Sequence, residues 1–331
     1  MRTAMLLGPE KIAFEDTPKP QLAAGQVLIQ TELAGICGTD VSFYLGHRTA
    51  PYPFVIGHEV IGAIAALGEG VSKFAIGQRV VVEPNYPCLA CRLCLSGRGA
   101  VCAHKLSPGV NLQGCFSEYF IAPAEFVWPL PQTISDRDAV TIEPLAVSVH
   151  GLLQSGAQKG DAIAVLGCGV VGLLLIHAAT AAGVRVIAHD RFATKLEMAR
   201  ALGATVVSDN HNAAQKWREE NVTCVFECAG AAATVDLALK AAPRASRVIL
   251  LGLSSEPVSF APLRLVREGI DIRTSMNYDH PKDFAYVIDQ VARRALRPSC
   301  VVTHTYPFES LSQALAHAGT GEAGKILIEM M

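Results

Sequence analysis

The stretch AIAVLGCGVVGLLLIHAATAAGV, residues 162–184, is long and apolar enough to pass for a membrane span, yet its glycines divide it. Gly167, Gly169 and Gly172 separate a strand pattern, AIAVL, from a helix pattern, VGLLLIHAATAAG. An apolar strand, a glycine turn and an apolar helix make a buried βα unit, because helices cover both faces of a parallel strand. The run is expected in a protein core, not in lipid. In GCGVVG, Gly167 permits the tight turn, Gly169 lets a pyrophosphate approach the backbone, and Gly172 brings the helix close to the sheet. Val170 and Val171 lie in the turn that opens the helix, whose N-terminus aims free N–H groups at the phosphates. Asp190 ends the next strand, VRVIAHD, 23 residues after Gly167, and is placed to accept from adenosine ribose hydroxyls. A carboxylate there repels a 2′-phosphate, which favours NAD, while the adjacent Arg191 keeps NADP open.

Outward from this turn the pattern continues as alternating strands and helices. After VRVIAHD come a helix TKLEMARALGA, a strand VVS, a strand CVFECAG, a helix near 234–242, then RVILLGL and IDIRTSM. That alternation reads as a parallel α/β sheet from about residue 144. Up to 143 the texture differs: QVLIQTELAGI, FVIGHEVIGAIAALG, GQRVVVEP and FSEYFIAPAEFVWPLP are short strand patterns broken by Gly and Pro, giving an irregular, barrel-like β domain. The tail carries a helical segment over 281–295, a strand SCVVTHTYPF, a helix SLSQALAHAG and a closing strand KILIEM. A length of 331 residues, half of them hydrophobic, fits two domains.

Composition narrows the function. Lys and Arg total 28 against 30 Asp and Glu, and charged residues make up 18% of the chain, so no basic footprint draws it to nucleic acid or to an anionic membrane. A small-molecule substrate is favoured. The N-terminus, MRTAMLLGPEKIAFED, has too short an apolar patch for a signal peptide, so the cytoplasm is the expected compartment.

That compartment bears on PCLACRLCLSGRGAVC, residues 87–102, which holds four of the ten cysteines. Disulfides seldom persist in a reducing cytosol, which leaves metal binding as the stronger reading. Cys88, Cys91, Cys94 and Cys102 read CxxCxxCx7C, enough thiolates to close a tetrahedron around Zn²⁺ with no free position, a structural site. A second set is dispersed: Cys37 in GICGTD, His58 and Glu59 in VIGHE, and Glu143 in IEPLA. Cysteine, histidine and carboxylate are the ligand types of a catalytic zinc with one open position, if folding brings them together. Taken singly, Cys37 reads equally as a small buried residue and His58 as a core histidine.

GHE, the four-cysteine lobe, EPLA and GCGVVG, in this order, resemble the zinc-dependent medium-chain alcohol dehydrogenases. FSEYFIAP (116–123), KLEMARALGA (195–204) and GKILIEM extend the resemblance over essentially the whole chain, and EPLAVSVHG is most similar to the sorbitol/polyol and threonine dehydrogenase branch. The resemblance implies a GroES-like catalytic domain of residues 1–143 and 281–331, with a structural zinc lobe at 86–103, and a Rossmann NAD-binding domain of residues 144–280. It also implies one catalytic and one structural zinc, NAD as cofactor, and a homo-oligomer, dimer or tetramer. Cys37, His58 and Glu59 match the branch's zinc ligands, and Glu143 matches a carboxylate that ligates the metal or holds its water. Which of Glu59 and Glu143 does so stays open.

The activity implied is transfer of a hydride to NAD from a secondary alcohol of a polyol, sugar alcohol or amino alcohol, with zinc polarising the hydroxyl. Thr39 resembles the family hydroxyl that takes the proton; a turn-forming role in GTD is its alternative. The chain departs from the pattern at Ser42, where the branch carries His, so the proton path runs through Ser42 and water or through His47. It departs again at Asn277 and Tyr278, where polyol dehydrogenases place Arg before Tyr; an amide offers no charge-assisted grip. Phe43 and Tyr44 are expected to line the pocket, with core packing as the alternative. Two other functions compete: a zinc-free NADPH-dependent enone or quinone reductase, and a non-catalytic NAD-binding regulator.

Overall fold

The computed structural model describes residues 1–207 and 212–330, and the chain divides into two compact units, Met1–Glu143 with Arg297–Met331, and Pro144–Leu296. The first opens with an antiparallel hairpin of β1 (Arg2–Gly8) and β2 (Lys11–Asp16). β3 (Gln26–Gly35), β4 (Glu59–Leu67), β5 (Arg79–Val82), β6 (Tyr119–Pro123) and β7 (Val127–Pro129) follow. β3 is the hub: it pairs antiparallel with both β4 and β6, and the sheet continues from β4 through β5 to β7. Val27, Ile29 and Ala34 of β3 are fully buried with Val60, Ile64, Val80, Phe116 and Phe120, so the strand patterns read from the sequence form one core.

In the second unit β8 (Ala162–Leu166), β9 (Arg185–His189), β10 (Thr205–Val207), β11 (Val222–Glu227), β12 (Arg247–Leu250) and β13 (Asp271–Thr274) form a parallel sheet in the order β10-β9-β8-β11-β12-β13. The order reverses between β8 and β11, the switch point where doubly wound sheets bind ligands. All six strands fall on stretches read as strands, though β13, with Asp271 and Arg273, is not an apolar run; Ser208 of the expected VVS lies outside the described residues. The opening stretch splits at its glycines into β8 and the helix Val170–Ala181, and no helix among the described residues is long and apolar enough to cross a membrane.

The chain then returns to the first unit with β14 (Val302–Pro307) and β15 (Lys325–Glu329), which pair in parallel, and β15 joins β3 antiparallel. The return differs from the expected boundary: the helix Lys282–Ala292 belongs to the second unit, and the crossing comes at Arg297. Its buried stripe of Phe284, Val287 and Val291 fits a helix on a core, and such a stripe does not say which core. Tyr278 packs against Phe284 with ring centres 5.5 Å apart and tilted by 54°, and His150 holds Asp283 at 2.6 Å.

Candidate functional site

The register of β3 and β4 builds the first half of the site. Gly35 pairs with Glu59, so the residues just beyond, Cys37 and His58, arrive at the same end of the sheet although 21 positions apart in sequence. A side chain at Gly35 would collide with the Glu59 carboxylate, which is why glycine stands there. One ligand atom from each of Cys37, His58 and Glu59 lies within 4.8 Å of the other two. Glu143, in the first turn of the helix Ile142–Ser155, is buried but outside this tight group.

Two residues not singled out from the sequence hold the group in place. Asp40, fully buried, accepts from Cys37 N at 2.8 Å and from Gly57 N at 2.9 Å, and its Oδ1 stands 3.6 Å from His58 Nδ1. Lys325, at the start of β15, is 1% exposed and donates to both Glu59 oxygens at 2.6 Å and to Ile36 O at 2.9 Å. Burial pulls the Lys325 pKa down, but Glu59, Cys37 and Glu143 outweigh it and hold the ammonium charged. A lysine inside the apolar run KILIE was the only sequence signal for it, and its partner is 266 residues away.

Electrostatics fit a cation at this spot. Burial lowers the His58 pKa, yet Asp40 and Cys37 raise it well above its ordinary value, so the surroundings favour positive charge beside the imidazole. Thiol, imidazole and carboxylate converging within 4.8 Å are a zinc donor set. Thr39 and Ser42, three residues apart on the helix Gly38–Tyr44, are half-buried on one face, with Ser42 Oγ donating to Gly38 O at 2.9 Å; His47 is exposed in the turn beyond. Phe43 and Tyr44, expected at the pocket, are instead core: both are buried, and Phe43 packs on Phe54 with ring centres 6.1 Å apart. Tyr278 is likewise 2% exposed and belongs to the second unit's interior, while Asn277 is half-buried in left-handed backbone at φ 51°. Phe43 lies four residues on from Thr39 along the same side of the helix, and its burial comes from Phe54 and the core packed over the end of the helix, which the order of residues does not show.

The four-cysteine lobe is assembled. Cys91 and Cys94 sulfurs lie 3.5 Å apart, Cys88 and Cys102 3.6 Å, Cys91 and Cys102 3.8 Å, and Cys88 and Cys94 3.9 Å. A disulfide needs about 2.05 Å, whereas zinc–sulfur bonds of about 2.3 Å make tetrahedron edges of roughly 3.8 Å. The lobe therefore fits zinc. Backbone N–H groups of Ala90 and Cys91 lower the Cys88 pKa to about 6, favouring the thiolate a metal requires; desolvation and its sulfur neighbours push Cys94 up to about 12.

In the second unit the turn after β8 is tight and brings the following helix close. Gly167 has φ +92°, and a side chain at Gly172 would collide with Gly167 O. Gly169, by contrast, caps the helix Val170–Ala181, and a Cβ there would meet no atom within 4 Å, leaving room for a phosphate. Asp190 is held by Cys168 N at 2.6 Å and Phe192 N at 2.9 Å. Lys195, missed in the sequence, lies buried beside it: burial lowers its pKa and Asp190 raises it. Arg191 is exposed over the Phe192 ring.

Comparison with known proteins agrees with this architecture. Residues 23–132 match the alcohol dehydrogenase GroES-like domain and residues 170–293 the zinc-binding dehydrogenase model. The starvation-sensing protein RspB of Escherichia coli K12 is 32% identical over 325 residues, covering 96% of this chain and 95% of that protein. The sorbitol dehydrogenase of Bacillus subtilis 168 is 31% identical over 337 residues, covering 96% and 93%. A crystal structure of the rspB alcohol dehydrogenase from E. coli CFT073, complexed with NADH, superposes with a TM-score of 0.93 at 30% identity, covering 100% of this chain and 99% of that one. Fold, donor sets and relatives together define a zinc-binding oxidoreductase with a GroES-like domain and an NAD-binding parallel-sheet domain. This chain belongs to the zinc-dependent medium-chain alcohol dehydrogenase family.

Proposed function

We propose that the protein oxidises a secondary alcohol, within a polyol, sugar alcohol or amino alcohol, with NAD as hydride acceptor. The observation that carries this reading is the convergence of Cys37, His58 and Glu59 within 4.8 Å, backed by Asp40 and Lys325. These three residues would hold the catalytic zinc, with Glu143 the carboxylate that would ligate it or hold its water. Zinc in such a site polarises a hydroxyl as a Lewis acid. Thr39 receives the proton, which leaves either through Ser42, three residues on, and water, or through exposed His47. Cys88, Cys91, Cys94 and Cys102 hold a second, structural zinc, a count supported by sulfur spacings near the tetrahedral edge.

The dinucleotide lies over Gly167–Gly172, with Val170 and Val171 in the helix's first turn and Asp190 on the adenosine ribose. NAD is preferred to NADP because the Asp190 carboxylate, fixed by two backbone donors, meets a 2′-phosphate with like charge, and Arg191 supplies too little to offset it. Relatives named sorbitol dehydrogenase and L-threonine 3-dehydrogenase support the alcohol class. Asn277 is retained as a substrate contact, and the core residues Phe43, Tyr44 and Tyr278 are not. The protein works as a homo-oligomer: β13 is an edge strand with all four residues exposed, the helix before it, Pro262–Glu268, exposes Leu263 and Val266, and a second copy is the natural cover for such an edge. All ten cysteines are unpaired, in keeping with a reducing cytoplasm.

Reduction of NAD⁺ and of NADP⁺ against a panel of polyols, diols and amino alcohols, with zinc measured in parallel, tests the proposal. Growth of the reduced-nicotinamide absorbance with NAD⁺ and a zinc-loaded protein is expected. A zinc-free protein that reduces enones with NADPH would overturn it.

A further inference from the structure

We propose that Glu227 is a positioning residue whose buried charge sets the preference for oxidised over reduced dinucleotide, an inference that rests on the second unit being the NAD site. Glu227 ends β11 and is fully buried. Leu166, the last residue of β8 before the Gly167 turn, pairs with it on one side, and Leu250 of β12 on the other. The carboxylate therefore sits under the carboxyl ends of three adjacent strands at the switch point. A dinucleotide with its pyrophosphate at Gly169 and its adenosine ribose at Asp190, on the β9 side, extends the other way, over the ends of β11 and β12. The nicotinamide half is the part that passes above Glu227.

The contacts of Glu227 reach both turns in that path. Oε1 accepts from Ala229 N and Gly230 N at 2.9 Å each and from Thr234 Oγ1 at 2.7 Å. Its main-chain oxygen accepts from Leu251 N and Gly252 N at 2.9 Å. One residue thus ties the turn after β11 to the turn after β12. Oε2 is buried with no hydrogen-bond partner among the described residues, and a side chain at Gly252 would stand 2.5 Å from it. Three donors on a single oxygen suit the acceptor-only carboxylate, and no lysine, arginine or histidine forms an ion pair with it among the described residues.

The chemistry of the cofactor supplies what this charge lacks. The nicotinamide ring of NAD⁺ is positively charged, and gaining a hydride makes it neutral. A buried carboxylate beneath the ring attracts the first form and not the second, through an interior where charges are poorly screened. Glu227 therefore acts through the field and the two turns rather than by contact.

Dissociation constants for NAD⁺ and NADH, measured on the wild type and on Glu227→Gln, test this. Glutamine keeps an acceptor for the turn but removes the charge. The ratio of the NAD⁺ constant to the NADH constant is expected to rise roughly tenfold, the effect of one unit charge on another across a protein interior. A ratio within about twofold of wild type overturns the proposal. Should Glu227→Gln fail to fold, Glu227→Asp carries the test: with the charge kept and the turn contacts shortened, both constants rise while their ratio holds, and a ratio moved about tenfold contradicts the account. A wild type that binds neither dinucleotide strikes down the NAD site itself, whereas one that binds both with an unmoved variant ratio strikes down only the role of Glu227.

Discussion

Lys325→Met isolates the charge that lets Glu59 stay buried. Removing one partner of a buried ion pair costs about 3–5 kcal/mol because the other is left uncompensated. Denaturant unfolding is expected to register this loss most in chelator-treated protein, since a zinc held by Glu59 would itself compensate the carboxylate. The Glu59→Gln, Lys325→Met double variant recovers much of it; a single variant as stable as wild type without metal would remove the pair from the account. Two glycines separate space from strain in the same way. Gly172→Ala meets Gly167 O and is expected to destabilise the second unit, whereas Gly169→Ala meets open space, so it folds normally but binds NAD more weakly. Calorimetry and cofactor titration of the pair check both. Cys37, His58 and Glu59 were legible in the sequence because each sits in a short motif; Asp40 and Lys325 were not, since Asp40 serves through backbone N–H groups and Lys325 through a partner most of the chain away.

At the scale of elements, the cysteine lobe was readable from spacing alone, as four thiolates within 15 residues define their own geometry. With zinc chelated, the lobe is expected to open to trypsin after Arg92, Arg98 and Lys105, and added zinc restores protection. A chelated lobe that resists cleavage argues against a structural metal. The helix Lys282–Ala292 gives a pH prediction. Burial raises the Asp283 pKa, but the hydrogen bond from His150 and the backbone N–H of Asp279 outweigh it, so the carboxyl lies below its ordinary value. The folded state then binds fewer protons than the unfolded one, so this contribution is complete above the unfolded value of about 3.9 and is lost as pH falls below it. Acid unfolding of His150→Ala is expected to be less steep below about pH 4 than that of wild type; identical acid limbs would deny Asp283 this role. The period of this helix was plain in the sequence, but its partner core was not, because a buried stripe fits either unit equally well.

For the whole molecule, the division into a β-rich first unit and a parallel second unit was legible from the change of texture near residue 144, where period-two strands give way to alternating strand and helix. The return at Arg297 was not, for the reason just given. Nor could spacing reveal that the β3–β4 register carries Cys37 to His58, since register is a property of pairing rather than of either strand. The central claim is that this register builds a zinc site distinct from the cysteine lobe. Zinc per chain, measured by plasma mass spectrometry on wild type, Cys37→Ala and Cys102→Ser alongside NAD⁺ reduction, tests it most directly. About two equivalents are expected in wild type and about one in each variant, with Cys37→Ala folded but inactive. A Cys37→Ala protein that keeps its full zinc complement and its turnover would contradict it.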